Sequence, residues 1–140
     1  MISIKENVSH VMDKKPEDEL KVGIDFMDTS LGDYGIIGHF HYTIHPKKES
    51  AFIDSVYLQE DYRKTGILKS NIDKIICGMS CRGVSNIGLH AQTEQAKTIW
   101  EKSGFEVIGE ETIEEEGVPL HYYIMKKDIS SIVCKCNKRR

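Results

Sequence analysis

The segment Ala51–Leu68 constrains the fold more than any other part of the sequence. Ser50–Leu58 is an apolar run of strand length in which both parities carry apolar side chains, as expected of an interior strand covered on both faces. The basic turn Arg63–Gly66 follows, and Leu68 begins an apolar pattern of helical period. The segment therefore predicts an interior strand, a basic turn with a glycine, and an amphipathic helix.

This strand, turn and helix together predict an anion site at the start of the helix. The first N–H groups of a helix have no intrahelical acceptor, and the helix dipole places positive charge at the same end. Arg63 and Lys64 add two cations, and Gly66 lets an anion approach the backbone without a side chain in the way. A pyrophosphate fits such a site, although the same spacing is also typical of an ordinary turn.

The rest of the pattern predicts one mixed sheet. Apolar or alternating runs predict further strands at Met1–Val11, Leu20–Asp28, Ile36–His45, Ile87–Ala91, Phe105–Gly109 and Val118–Lys126. Short connections favour an antiparallel meander that ends in the central strand. The strand Ile87–Ala91 follows a helix crossover, so we expect it to run parallel to the central strand.

A second helix and an acidic segment complete the pattern. Thr93 is the predicted N-cap, Trp100 lies on the predicted buried face, and Gly104 ends the helix. The acidic segment Glu110–Gly117 predicts a loop between the last two strands. Its glutamates have two interpretations: they attract a cationic acceptor, or they form a solvated hairpin tip, which we favour.

Length and charge narrow the class of protein. A chain of 140 residues is long enough for one core, so we predict a single domain over residues 1–128 and a basic, mobile tail over residues 129–140. The net charge of −3 argues against a nucleic-acid partner. No apolar stretch approaches the roughly 20 residues of a spanning helix, and no leader is visible, so we expect a cytoplasmic protein without a membrane partner. A homodimer is left open.

The cysteines and histidines are candidate metal ligands. Cys77 and Cys81 lie on the first helix, and Cys134 and Cys136 lie in the tail, but neither pair has the usual zinc spacing, so we favour reduced thiols over a metal site or a disulfide. The histidines of the third strand share a parity, yet the first and last are separated by about 20 Å, too far to bind one ion. We therefore expect a solvated sheet face there and no metal. The histidines in question are His39, His41 and His45, of which His41 is a minor candidate for contact with an acceptor.

Three stretches resemble conserved motifs of the GNAT superfamily of acyl-CoA-dependent N-acetyltransferases. Arg63–Leu68 resembles the R/Q-x-x-G-x-G/A signature, Ile53–Leu58 resembles the strand before it, and Ala96–Phe105 resembles the A-x-x-x-Y-E-K-x-G-F helix. The resemblance covers about Ser50 to Gly109. It implies a single GNAT-like domain of the α+β class (three-layer α/β type), with a mixed, mostly antiparallel sheet, a parallel splayed pair of strands and flanking helices.

The resemblance also implies a function. It implies direct transfer of an acetyl group from acetyl-CoA to a primary amine of a small molecule or protein, with neither a covalent enzyme intermediate nor a metal. The cofactor-binding residues that it implies lie on the central strand, the basic turn and the second helix. They are Val56, Tyr57, Leu58, Arg63, Lys64, Thr65, Gly66, Ile67, Leu68, Thr93 and Trp100.

Asp54 is the candidate catalytic residue. It lies where diamine acetyltransferases of this family carry a glutamate, and its shorter side chain would act through a water molecule. A base is needed because deprotonating a lysine-like amine at pH 7 costs about 4.6 kcal/mol. The alternative is that Asp54 is a strand residue that meets solvent at a splay in the sheet.

Several departures from the family pattern keep other functions open. Leu68 replaces a small residue, Thr93 replaces an asparagine, and Trp100 replaces the tyrosine that commonly protonates the leaving thiolate, which an indole N–H cannot do. The interval Val11–Leu20 is too short for the two helices that the family places there. The alternatives are an acyl-CoA-binding module that has lost catalysis, and a protein-interaction domain on the same scaffold.

Overall fold

The computed structural model describes residues 2–10, 19–28, 30, 35–63 and 66–132, and of residues 2–10 it describes the backbone only. These residues form seven strands and two α-helices. In chain order they are β1 Ile2–His10, β2 Leu20–Asp28, β3 Ile36–His45, β4 Ser50–Leu58, α1 Ile67–Cys81, β5 Asn86–Ala91, α2 Glu94–Lys102, β6 Glu106–Glu115 and β7 Val118–Asp128. In the part of the chain that is described, no helix is long and apolar enough to cross a membrane.

All seven strands belong to one sheet, in the order β1-β2-β3-β4-β5-β7-β6. Strands β1 to β4 form an antiparallel meander, β4 and β5 are parallel, and β5, β7 and β6 are antiparallel. The parallel pairing begins at Ser50↔Asn86 and ends at Ile53↔Leu89. Both strands continue past that point without pairing with each other, so they splay at their carboxyl ends. The predicted single domain, with a mixed and mostly antiparallel sheet and a parallel splayed pair, is therefore confirmed.

The core lies on one face of the sheet. Alternate side chains of the strands point to it, and both helices pack there, because apolar side chains of α1 and α2 belong to the same buried cluster. We call this side the helix face, and the other the open face, since neither of the two described helices packs on it. The buried helix residues are Ile72, Ile75, Ile76 and Met79 of α1 and Trp100 of α2.

Asp54 forms a β-bulge in β4. In the pairing with β3, Tyr42 lies opposite Ile53 and His41 lies opposite Ser55, which leaves Asp54 as the extra residue. Such a bulge places two successive side chains on one face and shifts the parity of everything after it.

The bulge corrects one prediction about β4. Ala51 and Ile53 before it and Leu58 after it are all buried, although they differ in parity, and Val56 also packs against the core. The apolar residues on two parities therefore face one side of the sheet, and Tyr57 on the other side is 48% exposed. The expectation that β4 is covered on both faces is wrong.

The prediction of a loop over Glu110–Gly117 is wrong, because most of this acidic segment is strand. β6 pairs with β7 as far as Glu115↔Val118. Only Glu116 and Gly117 connect the strands, both with positive φ, at 52° and 80°. The prediction failed because glutamate disfavours strands only weakly when cross-strand pairing holds the backbone and the carboxylates face solvent.

Two further predictions need correction, one about the end of the domain and one about the cysteines. The predicted end of the domain at Asp128 is too early, because Ile129 has no exposed surface and its N–H donates to the carbonyl of Ser85 at 2.8 Å. Cys81 is disulfide-bonded, so the expectation of reduced thiols is wrong there, since sequence spacing does not show which thiols a fold brings together. The tail cysteines lie in residues 133–140, outside the described residues.

Candidate active site

Two cavities open where β4 and β5 splay. α1 follows β4 and α2 follows β5, so both helices begin near the carboxyl ends of the parallel pair, where ligands of βαβ units bind. A cavity of about 530 Å³ lies between the end of β4 and the two helices, and we call it the helix-side cavity. A second cavity of about 410 Å³ is lined by the ends of β4 and β5 and the start of α2, and we call it the splay cavity.

The helix-side cavity is apolar with cations around it. Its apolar wall includes Leu68 and Ile99 of the two helices. Three cations also line it, namely Arg63, Lys69 and Lys102, whereas none of its described lining residues is a carboxylate. This combination suits a ligand with an apolar or amide body and a polyanionic end.

Gly66 leaves the start of α1 accessible to a ligand. It lies in the left-handed region at φ 85° and precedes the helix without a side-chain cap. A Cβ built on Gly66 meets no atom within 4 Å, so its surroundings are open space. The first N–H groups of α1 therefore reach the helix-side cavity without a side chain covering them.

Arg63 and Tyr62 connect the end of β4 to the rest of the fold. Nε of Arg63 donates to the carbonyl of Leu58 at 2.6 Å, and the guanidinium lies 5.5 Å from the centre of the Tyr57 ring. The hydroxyl of Tyr62 donates to Oδ2 of Asp28 at 2.6 Å, and this hydrogen bond holds the pKa of Asp28 far below its ordinary value. The segment between β4 and α1 is thus tied to both β4 and β2.

The splay cavity has a polar wall on each strand. Asp54 lies on β4, and its Oδ2 accepts a hydrogen bond from Oγ1 of Thr43 at 2.7 Å. His90 lies on β5, with its ring stacked on Tyr122 at 4.4 Å and edge-on to Phe52 at 5.0 Å. Among the described residues, no hydrogen bond occupies the ring nitrogens of His90. The cavity therefore places a fixed carboxylate across from an oriented imidazole.

Trp100 lies in the core and also at the splay cavity. It is 7% exposed and packs edge-on against Phe40 and Phe105, with ring centres 6.2 and 5.2 Å away. It lines the splay cavity and not the helix-side cavity. Trp100 is therefore a core residue that also forms part of the wall of the splay cavity.

The start of α2 is held by two side chains. Oγ1 of Thr93 accepts from the N–H of Ala96 at 3.0 Å, as predicted for an N-cap. The hydroxyl of Tyr123 donates to Glu94, which lowers the pKa of that carboxyl, and Lys97 lies 4.9 Å from the centre of the Tyr123 ring. These contacts fix α2 against β7 beside the splay cavity.

The histidines of β3 lie on the open face. The rings of His39 and His41 stack with centres 4.5 Å apart, and Nε2 of His39 is 2.8 Å from Oγ of Ser55. Burial, and then the charge of His41, lower the pKa of His39. The described residues contain no group of three or more side chains arranged to hold a metal ion.

The structure brings together most of the predicted site residues. The predicted residue Ile67 packs against the core in the first turn of α1, and Lys64 and Thr65 lie outside the described residues. Asp54 and Trp100 line the splay cavity. The predicted residues that line the helix-side cavity are Val56, Tyr57, Leu58, Arg63, Gly66, Leu68 and Thr93.

Sequence analysis missed His90. It belongs to no motif, but one signal points to it: it alternates with the buried Leu89 and Ala91 at the carboxyl end of the predicted parallel strand. A polar side chain on the face away from the core, at that end of that strand, is placed at the splay.

Comparisons with solved structures identify the fold. Neither a protein-family model nor a curated protein sequence matches the chain. NAA60 of Arabidopsis thaliana, solved with a bisubstrate analogue, is similar with a TM-score of 0.66 at 19% identity, over 77% of this chain and 75% of that one. The ribosomal-protein alanine N-acetyltransferase of Escherichia coli is similar with a TM-score of 0.67 at 13% identity, over 93% and 95%. A chimera of the Vibrio cholerae spermidine N-acetyltransferase gives 0.65 at 18% identity, over 79% and 68%. The chain therefore has the fold of the GNAT N-acetyltransferases.

Proposed function

We propose that the chain transfers an acetyl group from acetyl-CoA to a primary amine. The observation that carries this proposal is the splay between β4 and β5, which separates an apolar, cation-rimmed cavity from a cavity with a carboxylate and an imidazole. The first suits a thioester cosubstrate with a pyrophosphate, and the second suits an amine that must lose a proton.

The helix-side cavity fits the two chemically different parts of acetyl-CoA. In our proposal the pyrophosphate lies at the N–H groups of Gly66, Ile67 and Leu68, with Arg63 beside it. The sequence motif adds Lys64 and Thr65 as further candidate ligands, which lie outside the described residues. Beyond Ile53, the edge of β4 that faces β5 pairs with no described strand. In our proposal the free backbone groups on this edge of Val56–Leu58 bind the pantetheine arm as an additional strand would bind, with Thr93 beside it and Trp100 near the thiol end. The carbonyl of Leu58 already accepts from Arg63.

The splay cavity supplies the acid–base chemistry. In our proposal Asp54 attracts the ammonium form of the acceptor, and the proton leaves to His90, either directly or through a water molecule shared with Asp54. The neutral nitrogen then attacks the thioester carbonyl and a C–N bond forms. As the C–S bond breaks to release the thiolate, the nitrogen loses its second proton to water or to the departing thiolate, which leaves a neutral amide. Trp100 cannot protonate that thiolate, but a thiol of ordinary pKa leaves without an acid at modest cost.

The similar structures do not select one acceptor. One is named for an alanine of a ribosomal protein and another for spermidine. The shared chemistry is an aliphatic primary amine, which is the class of acceptor that we propose here.

Binding and turnover test the proposal separately. Thermal melting with and without acetyl-CoA detects binding, because a ligand at about 100 times its Kd adds roughly 2.7 kcal/mol to the free energy of unfolding. Thiol release with a panel of amines, polyamines and peptides then detects transfer. We expect a raised Tm and release of the thiol with at least one acceptor. A Tm that acetyl-CoA leaves unchanged would contradict the proposal.

A second candidate function is an acyl-CoA-binding module without catalysis. The observation that favours it is Trp100, which is packed in the core at the position where the resemblance calls for a tyrosine acid. Melting that responds to acetyl-CoA, combined with no thiol release from any acceptor in the panel, would select this function.

A further inference from the structure

Ser55 carries a hydroxyl group that an imidazole nitrogen reaches. It directly follows the bulge residue Asp54 in β4, and it lines the splay cavity. Its Oγ lies 2.8 Å from Nε2 of His39, which is a hydrogen-bond distance. The other described hydroxyl at this cavity belongs to Thr93, and it accepts from the N–H of Ala96 at the start of α2. Ser55 therefore differs from Thr93 because its hydroxyl is paired with a base.

Neighbouring rings on the open face hold the ring of His39. Its centre lies 4.5 Å from that of His41, on which it stacks, and 6.0 Å from that of Tyr57. Asp25 of β2 is its cross-strand partner and shares its face of the sheet. These neighbours restrict the rotation of the ring, so Nε2 stays directed at the hydroxyl of Ser55.

The charges around His39 suit a base. Burial, and then the charge of His41, lower the pKa of His39, so the neutral ring, which can accept a proton, predominates at pH 7. The charge of Asp25 acts in the opposite direction, because it stabilises the imidazolium that forms once His39 has taken a proton. Ser55, His39 and Asp25 thus follow one another as a nucleophile, a base and a carboxylate, which is the order that activates a serine.

Ser55 also lies beside the place that we propose for the thioester. The proposed function puts the pantetheine arm along the free edge of Val56–Leu58 and the acceptor amine in the splay cavity, so the thioester carbonyl lies where the two meet. Ser55 directly precedes Val56 and lines that cavity. Its hydroxyl is therefore a second nucleophile in the cavity where the amine attacks.

We propose that Ser55 accepts the acetyl group of acetyl-CoA when no amine occupies the splay cavity, with His39 as the base. The inference rests on the proposed function for the place of acetyl-CoA. His39 takes the proton of the hydroxyl, Oγ attacks the thioester carbonyl, and a C–O bond forms. The C–S bond then breaks, and the proton passes from His39 to the departing thiolate. The products are an acetyl ester on Ser55 and the thiol of CoA, and His39 is neutral again.

Two acetyl donors test this inference. Acetyl-CoA needs the helix-side cavity, whereas 4-nitrophenyl acetate is a small activated ester that does not. The native chain is incubated with each donor in the absence of an amine, and the reaction is stopped with acid, which preserves an ester. Mass spectrometry of the peptides locates the acetyl group, and release of the thiol or of nitrophenol gives the rate. We expect an acetyl group on Ser55 with both donors.

A second pair of serine and histidine on the same two strands provides the control. Ser50 of β4 lies opposite His45 of β3, but no hydrogen bond joins these two described residues. His39→Gln should slow the acetylation of Ser55 at least tenfold, and Ser55→Ala should lower the amine-free release of thiol by as much. Ser50→Ala and His45→Gln should leave both rates at the native value.

The outcomes separate the inference from the proposed function. Acetyl-CoA that binds without acetylating Ser55, or equal rates for His39→Gln and His45→Gln, would overturn the inference. If the same samples then still acetylate an amine, the proposed function holds without it. If 4-nitrophenyl acetate acetylates Ser55 through His39 while acetyl-CoA neither binds nor reacts, the activated serine holds and the proposed function fails.

Discussion

The helix-side cavity and the splay cavity share the end of β4 but are built differently. One short segment, from Val56 to Lys69, supplies much of the helix-side cavity, including the first N–H groups of α1 and two of the three cations, Arg63 and Lys69. The splay cavity is formed by side chains far apart in sequence. Asp54 and His90 line the same cavity only because β4 and β5 pair in one register, and Tyr122 of β7 stacks on the ring of His90.

This difference separates what a local motif can specify from what only a fold can assemble. A ligand site made of backbone at a helix start needs the right dihedral angles over a few residues. An acid–base site made of side chains needs correct strand order and register. We therefore expect substitutions at the two cavities to change different quantities: binding of acetyl-CoA at one, and turnover at the other.

Replacing His90 should have the largest effect. His90→Gln removes the proposed proton acceptor, so we expect kcat to fall about 100-fold, the lower end for general bases, with the Kd of acetyl-CoA unchanged. Asp54→Asn should mainly raise KM for the amine. Steady-state thiol release and calorimetry measure the two quantities. His121→Gln is the control, because His121 of β7 lies on the helix face of the sheet whereas His90 lies on the open face. Equal kcat values for His90→Gln and His121→Gln would remove His90 from the mechanism.

Gly66 tests the helix-side cavity. Gly66→Ala adds a Cβ to open space beside the first N–H groups of α1, so we expect the Kd of acetyl-CoA to rise at least tenfold. Gly83→Ala is matched, because Gly83 has φ 88° and also has no atom within 4 Å of the added Cβ, but does not line the cavity. Both variants should lose about 1 kcal/mol of stability from the strained backbone. A Kd that changes equally in both would mean that strain, and not the anion site, controls binding.

Trp100 tests whether the two cavities communicate. It is the only tryptophan, and it packs in the core while lining the splay cavity. Trp100→Tyr should destabilise the fold by about 1–3 kcal/mol, as measured by denaturant unfolding. The fluorescence of native Trp100 should change when acetyl-CoA binds. A titration without a fluorescence change, together with normal turnover of the tyrosine variant, would assign Trp100 to the core alone.

Tyr62 should show the smallest effect, and one that depends on pH. Its hydrogen bond stabilises the ionised form of Asp28 and so lowers the pKa of that carboxyl in the folded state. A lowered folded pKa contributes stability above the unfolded pKa, and that contribution is lost as the pH falls. The Tm of Tyr62→Phe should therefore lie below that of the native chain at pH 7, and the gap should narrow below about pH 4. A Tm difference that does not change with pH would show that Tyr62→Phe destabilises the fold through lost packing and not through the lost hydrogen bond. Tyr57→Phe, which alters an exposed ring, is the control.

The strands with a local signal were predicted closely. The bounds of β2, β3 and β4 match the predicted Leu20–Asp28, Ile36–His45 and Ser50–Leu58. Alternation, and stop signals such as Pro46, lie within the segments themselves, so no knowledge of neighbouring strands is needed. The helix α1 was predicted for the same reason, from the apolar period that begins at Leu68.

The features that depend on pairing were missed. The bulge at Asp54 is a property of β4 and β3 together, and from the sequence of β4 alone it is indistinguishable from burial on both faces. Glu110–Glu115 becomes a strand only because β7 pairs with it. His90 gains its place in the splay cavity from the register of β4 and β5, which no local motif encodes.

The short parallel pairing also has a consequence for amide hydrogen exchange. Only four residue pairs, Ser50↔Asn86 to Ile53↔Leu89, join the four-stranded meander to the three-stranded unit of β5, β7 and β6. We expect the sheet to open first along this seam, so amides that face it should exchange with solvent faster than those inside either unit. A cosubstrate that pairs with the free edge of β4 would act there as a missing strand, and its binding should slow exchange on both sides of the seam at once.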